Sequence, residues 1–279
     1  MAIRLAAVDI DGTLLNSRGI LAEETARTIC ETGERGIFIV PSTGRCWDEY
    51  PDSLAALEVV RYAIFSNGAR IVDLKTDRTL YSNFIPYEDV LSLLPLLLES
   101  GFIYELIYEG SVFIDEAFMA PIYASFREAG EGYLWFFEKI RFVRDLPGEI
   151  RNRKMDAEKI SIRRVDSEYR KKCTALLREK QLYTVTDFYG KPGALSDVEI
   201  TVKNCSKGTA LSALCDMLEI PAEEILAIGD GHNDISMVEM AGMGIAMGNA
   251  TAGVKEAAQY ITLSNDDLGA ALALRKFAK

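Results

Sequence analysis

The sequence predicts an α/β protein: a doubly wound, Rossmann-like parallel-sheet core carrying an inserted, smaller α+β domain. Three observations support this. Short unbroken apolar runs alternate with helix-spaced segments at both ends of the chain, the pattern of a parallel sheet covered by helices. Several of those runs stop on acidic or small polar residues. The middle of the chain departs from that pattern, with paired strand candidates beside helices.

The first run, IRLAAVDI, is apolar without alternation and reads as a buried strand. It ends on Asp9 and Asp11, followed by Gly12 and Thr13. LAEETARTICETGERG has helical spacing and closes on Gly36, a C-terminal signal. Ile37 to Val40 form a second strand, ending in Ser42, Thr43 and Gly44. YAIFSNGARI is a third apolar run, broken by the turn signal Ser-Asn-Gly.

From about Pro86 to Gly190 the reading is a helix over roughly 88–100 and a strand pair, FIYELIYEG and SVFIDEAF. KISIRRVD, a helix over 167–180 and LYTVTDFYG follow. The core pattern resumes with DVEITV, the helix KGTALSALCDMLE, the strand EEILAIGDG, the helix DISMVEMAG and the strand MGIAMG. The expected division is therefore 1–84 and 191–279 for the core and 85–190 for the insertion.

The bulk properties exclude several classes. A chain of 279 residues with a net charge of −11 does not suit nucleic acid as its main partner, because phosphate backbones are held by Lys and Arg. One or two placed cations still suffice for a small phosphorylated ligand. Cys30, Cys46, Cys173, Cys205 and Cys215 include no CxxC pair, which fits reduced thiols. No charged-then-apolar leader precedes the first strand, so a cytoplasmic location is expected. LSLLPLLL is too short to span a membrane and contains a proline. The expected state is a monomer or weak homodimer without membrane or nucleic-acid partners.

In open parallel sheets, ligands bind outside the carboxyl ends of the strands. The residues found there are Asp9 and Asp11, Thr43, Asn67, and Asp230 to Asp234. An Asp-x-Asp pair after a strand is equally well a turn and helix cap. The second acidic group, Asp230 and Asp234, alters the balance: two carboxylate clusters at one sheet edge repel unless a cation lies between them. Carboxylate and carbonyl oxygens suit Mg²⁺. Zinc is disfavoured, since His232 is the only histidine and the cysteines are scattered. Lys207 opens a helix, where the macrodipole favours anions, so it reads as a partner for a bound anion or as a solvated surface lysine. Thr43 and Gly44 offer a hydroxyl and an unhindered amide, or an N-cap.

Asp9-Ile10-Asp11-Gly12-Thr13, Ser42-Thr43-Gly44-Arg45, Lys207-Gly208 and Gly229-Asp230-Gly231-His232-Asn233-Asp234 occur in that order. Together they resemble the four motifs of the haloacid dehalogenase-like phosphohydrolases. The SNGA, KGTAL and AMGNA segments are similar to the Cof-type branch, and the insertion between Thr43 and Lys207 resembles its type-2 cap. The resemblance implies a Mg²⁺-dependent phosphatase acting on a small phosphorylated metabolite, a sugar phosphate foremost. It implies Asp9 as nucleophile, passing through an aspartyl-phosphate, and Asp11 as acid and base. Asp9, the Asp11 carbonyl, Asp230 and Asp234 would hold the metal, with Asp234 direct or through water. Thr43, Gly44, Lys207 and Asn233 would hold the phosphoryl oxygens. The cap would exclude water and select the substrate. A phosphomutase of the phosphomannomutase type and a non-catalytic sugar-phosphate sensor are the alternatives.

Other features have plainer readings. RNRKMDAEKISIRRVDSEYRKK is interleaved with acids and reads as a solvated face. Trp135-Phe136-Phe137 reads as packing within the inserted domain. No GxxxxGK[ST] loop occurs, so a P-loop nucleotidase is unsupported.

Overall fold

The computed structural model describes residues 2–99, 103–129, 134–165, 171, 175, 183–188 and 196–279. The chain divides into two compact units. The first comprises Met1–Arg45, Tyr50–Ser82 and Cys205–Lys279; the second comprises Cys46–Glu49 and Asn83–Asn204.

In the first unit, five parallel strands run in the order Tyr260–Ile261, Met243–Ala246, Ile225–Gly229, Leu5–Val8, Phe38–Pro41. Leu5–Val8 is fully buried between two neighbours, which is why its sequence is apolar without alternation. Leu5, Ala7, Val40 and Ala227 pack with Ala210, Leu211 and Leu214 of the Lys207–Leu218 helix and with Met237 of the Ile235–Met240 helix. The Glu23–Glu34 and Gly269–Phe277 helices form a second packed pair. Glu23 and Glu24 sit in the first turn of their helix, where negative charge is favoured. The fold class expected from the sequence is the one observed.

Tyr62–Phe65 departs from a simple parallel reading. It forms an antiparallel sheet with Arg70–Asp73 and Arg78–Ser82, and is linked to the end of the Phe38–Pro41 strand by a bridge between Ser42 and Ile64. The Ser-Asn-Gly turn that breaks the apolar run sends the chain back on itself.

The second unit is built on six strands, ordered Tyr183–Phe188, Ser196–Val202, Lys159–Val165, Tyr104–Tyr108, Ser111–Asp115, Arg141–Val143. All neighbours are antiparallel except the last pair. Glu109 and Gly110 both have positive φ, 49° and 77°, in the two-residue turn of the expected hairpin. Leu93, Leu94 and Leu97 of the Tyr87–Glu99 helix pack with Leu106, Ile160, Ile162, Val198 and Ile200. Phe136 and Phe137 lie in a second cluster with Ile107, Val112 and Ile114; the Trp135 side chain lies outside the described residues.

Three expectations need comment. DVEITV was given to the returning core, but Ser196–Val202 is a member of the six-stranded antiparallel sheet, and the first unit resumes at Cys205. The polar and apolar alternation of Val198, Glu199, Ile200 and Thr201 is the signature of such a strand. The helix over 167–180 lies outside the described residues apart from 171 and 175. Lys159, in the stretch read as a solvated face, is buried and ion-paired to Glu199. Exposed Arg151 and Lys154 do fit the solvated reading.

Candidate active site

The acidic turn begins at the carboxyl end of Leu5–Val8. Its geometry separates the two aspartates: Asp9 is buried, whereas Asp11 is half-exposed. Arg45 grips Asp11 from two nitrogens, Nε to Oδ2 and Nη2 to Oδ1, both at 2.7 Å. Such bidentate pairing fixes direction as well as charge.

Gly12 has φ +80°, and a Cβ there would lie 2.4 Å from Asp230 Oδ2. Glycine therefore lets this turn approach the second acidic loop. Thr13 Oγ1 donates to Asp230 Oδ1 at 2.8 Å. Asn249 Nδ2 donates to the Gly12 carbonyl at 2.8 Å and to Asp230 Oδ2 at 3.4 Å.

Lys207 is the first residue of its helix, placed by a Ser206–Thr209 capping box. It is completely buried, which removes the surface-lysine alternative. Its Nζ donates to Asp9 Oδ1 and to Asp234 Oδ1, both at 2.5 Å. The other Asp234 oxygen, Oδ2, accepts from the amides of Asp230 at 2.9 Å and Gly231 at 2.8 Å. Both oxygens of Asp234 are thus engaged by the protein, and they tie the loop to the lysine.

Carboxylate oxygens of Asp9, Asp230 and Asp234 lie within 4.8 Å of one another. Three carboxylates against one ammonium leave an excess of about two negative charges when all are ionised, the complement of one divalent cation. Burial and then the Asp234 charge push Asp9 well above the usual carboxylate range, against the pull of Lys207. Burial, with Asp234 again adding, pushes Asp230 up to about 6. Burial pulls the Lys207 ammonium down, yet the Asp234 and Asp9 charges outweigh it and hold it above its ordinary value. The lysine stays charged while the acids are held reluctantly so. An all-oxygen donor set of this charge fits a hard cation of the Mg²⁺ type.

The remaining expected residues form a second group. Thr43 is buried, and its Oγ1 accepts from the Arg45 amide at 3.1 Å, a local turn bond. Asn233 Nδ2 donates to Asn67 Oδ1 at 2.9 Å, and that same oxygen would lie 2.9 Å from a Cβ on Gly44. Thr43, Gly44 and Asn233 are therefore gathered around Asn67, while Asp9, Lys207, Asp230 and Asp234 form the charged cluster. Sequence reasoning gave no role to Arg45, Thr13 or Asn249. The rule that found the acids could have found Asn249, which follows the carboxyl end of Met243–Ala246.

A sequence model of the haloacid dehalogenase-like hydrolases matches residues 6–274. The chain belongs to that family. The family expected from the four motifs is the one found. This haloacid dehalogenase-like hydrolase is 28% identical over 275 residues to the 5-amino-6-(5-phospho-D-ribitylamino)uracil phosphatase YcsE of Bacillus subtilis, covering 98% of this chain and 95% of that one. It is 30% identical over 287 residues to the putative phosphatase YxeH of the same organism, with coverage of 98% and 97%. A solved haloacid dehalogenase-like hydrolase from B. subtilis matches the fold with a TM-score of 0.84 at 26% identity, covering 98% of this chain and 99% of that chain. The enzyme class expected here, a phosphatase, is the one these curated relatives carry in their names. Among the described residues, no helix is long and apolar enough to cross a membrane.

Proposed function

We propose that this hydrolase removes the phosphate from a small phosphorylated metabolite, a sugar or sugar-alcohol phosphate, through an aspartyl-phosphate on Asp9. The observation that carries the reading is the buried Asp9 carboxyl, held by buried Lys207 beside Asp230 and Asp234. The name of the YcsE relative, with its phosphoribityl substrate, supports the choice of substrate class. The inserted unit is assigned to substrate selection.

Asp9 attacks phosphorus as the carboxylate, and the bond to the leaving oxygen breaks. Asp11 gives its proton to that oxygen, then takes one from the water that hydrolyses the acyl phosphate. Arg45 holds both Asp11 oxygens and so aims the carboxylate that takes the proton from the hydrolytic water. Thr43, Gly44, Lys207 and Asn233 bind the phosphoryl oxygens. Asp9, the Asp11 carbonyl and Asp230 would hold Mg²⁺, which would supply charge neutralisation at the phosphoryl group. Asp234, with both oxygens already engaged, serves through Lys207 and the loop amides.

Phosphate release from a panel of sugar phosphates, in Mg²⁺ and in EDTA, tests the reading. Release that requires Mg²⁺ is the expected result. Isomer formation without release would favour a mutase, and tight binding with neither would favour a sensor.

The raised pKa of Asp230 has a sign that can be checked. With the folded value near 6 and the unfolded value near 3.8, the folded chain keeps a proton that the unfolded chain releases. Metal-free stability from this group therefore falls as pH rises through that window. Asp230→Asn carries no such proton, so in EDTA its stability relative to wild type should climb between these two pH values and level off above. Urea unfolding across that range reads the difference. Mg²⁺ competes with the same proton, so its affinity for the wild type should weaken below about pH 6.

A further inference from the structure

We infer that Asn67 is a positioning residue, whose side-chain amide sets the Asn233 amide, and the Gly44 backbone beside it, for binding phosphoryl oxygens. The inference rests on the phosphatase reading above. Its ground is an unusual stretch of backbone. After Phe65, three consecutive residues take the left-handed conformation: Ser66 at φ 51°, Asn67 at 57° and Gly68 at 101°. Two of them are not glycine. Such residues persist in that conformation where their surroundings over-determine it, and they cluster at functional sites.

The surroundings here come from three distant parts of the chain. The Asn67 amide nitrogen donates to the Thr43 carbonyl at 3.0 Å, and the Ser66 nitrogen donates to the Arg45 carbonyl at 2.9 Å. Cys205 Sγ donates to the Asn67 carbonyl at 3.8 Å. Asn233 Nδ2 donates to the Asn67 side chain. A Cβ on Gly68 would lie 2.0 Å from the Ser206 carbonyl, so the turn rests directly on the start of the Lys207 helix. Asn67 itself is buried. Asn67 thus joins the Thr43 loop through its backbone and the Asn233 loop through its side chain, within a turn seated on the lysine helix.

A turn that merely needs a left-handed residue makes a different demand. Asparagine tolerates that conformation, but glycine tolerates it better. If the backbone were all that mattered, Asn67→Gly would be harmless or stabilising. If the amide matters, the same substitution keeps the backbone and removes the acceptor of Asn233. The two roles separate in one variant.

The test measures p-nitrophenyl phosphate hydrolysis in Mg²⁺, inhibition by inorganic phosphate, and thermal unfolding, for wild type, Asn67→Gly, Asn233→Ala and the double variant. Asn67→Gly should unfold close to the wild-type temperature, because relief of the left-handed conformation offsets the lost bond from Asn233. Its KM and its phosphate inhibition constant should rise about ten- to a hundredfold, more than kcat falls, the effect of one lost charge-assisted bond. In the Asn233→Ala background the further loss should be much smaller, because the two residues act as one unit. Wild-type KM and phosphate inhibition in Asn67→Gly overturn the inference, as does a full additional loss in the double variant. A wild type that releases no phosphate from any substrate overturns the phosphatase reading instead. Calorimetric binding of inorganic phosphate by wild type and Asn67→Gly then decides the Asn67 role: weaker binding by the variant supports it, and equal binding or none overturns it.

Discussion

Asp9→Asn is expected to abolish phosphate release, lowering kcat by at least about 10³-fold, while leaving the metal-free fold as stable as the wild type or more so. The loss follows from the proposed attack, since an amide does not supply a carboxylate nucleophile. The second half of the expectation comes from the electrostatics. Burial and the nearby Asp234 charge make ionised Asp9 unfavourable in the folded chain. A neutral amide of nearly the same shape relieves that burden and keeps an oxygen for Lys207. Turnover measured beside urea unfolding in EDTA separates the two effects. Wild-type turnover in a folded variant would remove Asp9 from the attacking role. Lost turnover with a collapsed fold would show that the carboxylate is chiefly structural.

Lys207→Met should have the larger effect on stability. The methionine fills the same space but leaves Asp9 and Asp234, both buried, without their shared cation. Breaking a buried pair by removing one partner costs about 3–5 kcal/mol, because the charge left behind is uncompensated. The two acids can escape part of that cost by holding protons. Protonation of the stranded buried pair then offsets part of the loss at low pH, so the loss grows as pH rises and is smallest in acid. Asp234→Asn in the Lys207→Met background should restore part of the stability, since one of the stranded charges is gone. Urea midpoints for the four members of this cycle, at about pH 5 and about pH 8, read both the coupling and its sign. A loss that is independent of pH would mean that packing of the lysine stem, and not its charge, holds the helix start.

Much of this arrangement is legible in the sequence. Buried parallel strands have no room for polar residues until they end, so Asp9, Thr43 and Asp230 stand out where their apolar runs stop. Their shared edge follows from the rule that ligands sit beyond the carboxyl ends of such strands. Lys207 was legible as a type misplaced at a helix start, though its complete burial was not. That burial depends on two carboxylates, one of them 198 residues away. Asn67 looked like a turn residue because Ser-Asn-Gly is a turn signal whatever else it does. Its side chain's partner, Asn233, is 166 residues off, and nothing local announces such a bond. Ser196–Val202 was assigned to the wrong sheet for a related reason. Its alternation points to an antiparallel strand, but its position beside the returning core suggested otherwise.

The strand order of the first unit also bears on how the chain assembles during synthesis. Leu5–Val8 lies between Phe38–Pro41 and Ile225–Gly229. A growing chain can meet the first neighbour early, but the second emerges only after the whole second unit has been made. Until then one edge of the oldest strand is bare, an open template for unwanted pairing. The second unit has no such wait: apart from Cys46–Glu49 it is one continuous stretch, so it can close its own sheet while the core is still incomplete. Long-range pairing is slow to form, and here it must also wait for the second unit to be made. The nascent chain therefore carries the whole second unit before Leu5–Val8 gains its second neighbour, which makes the bare edge of that strand a place where unwanted pairing can begin.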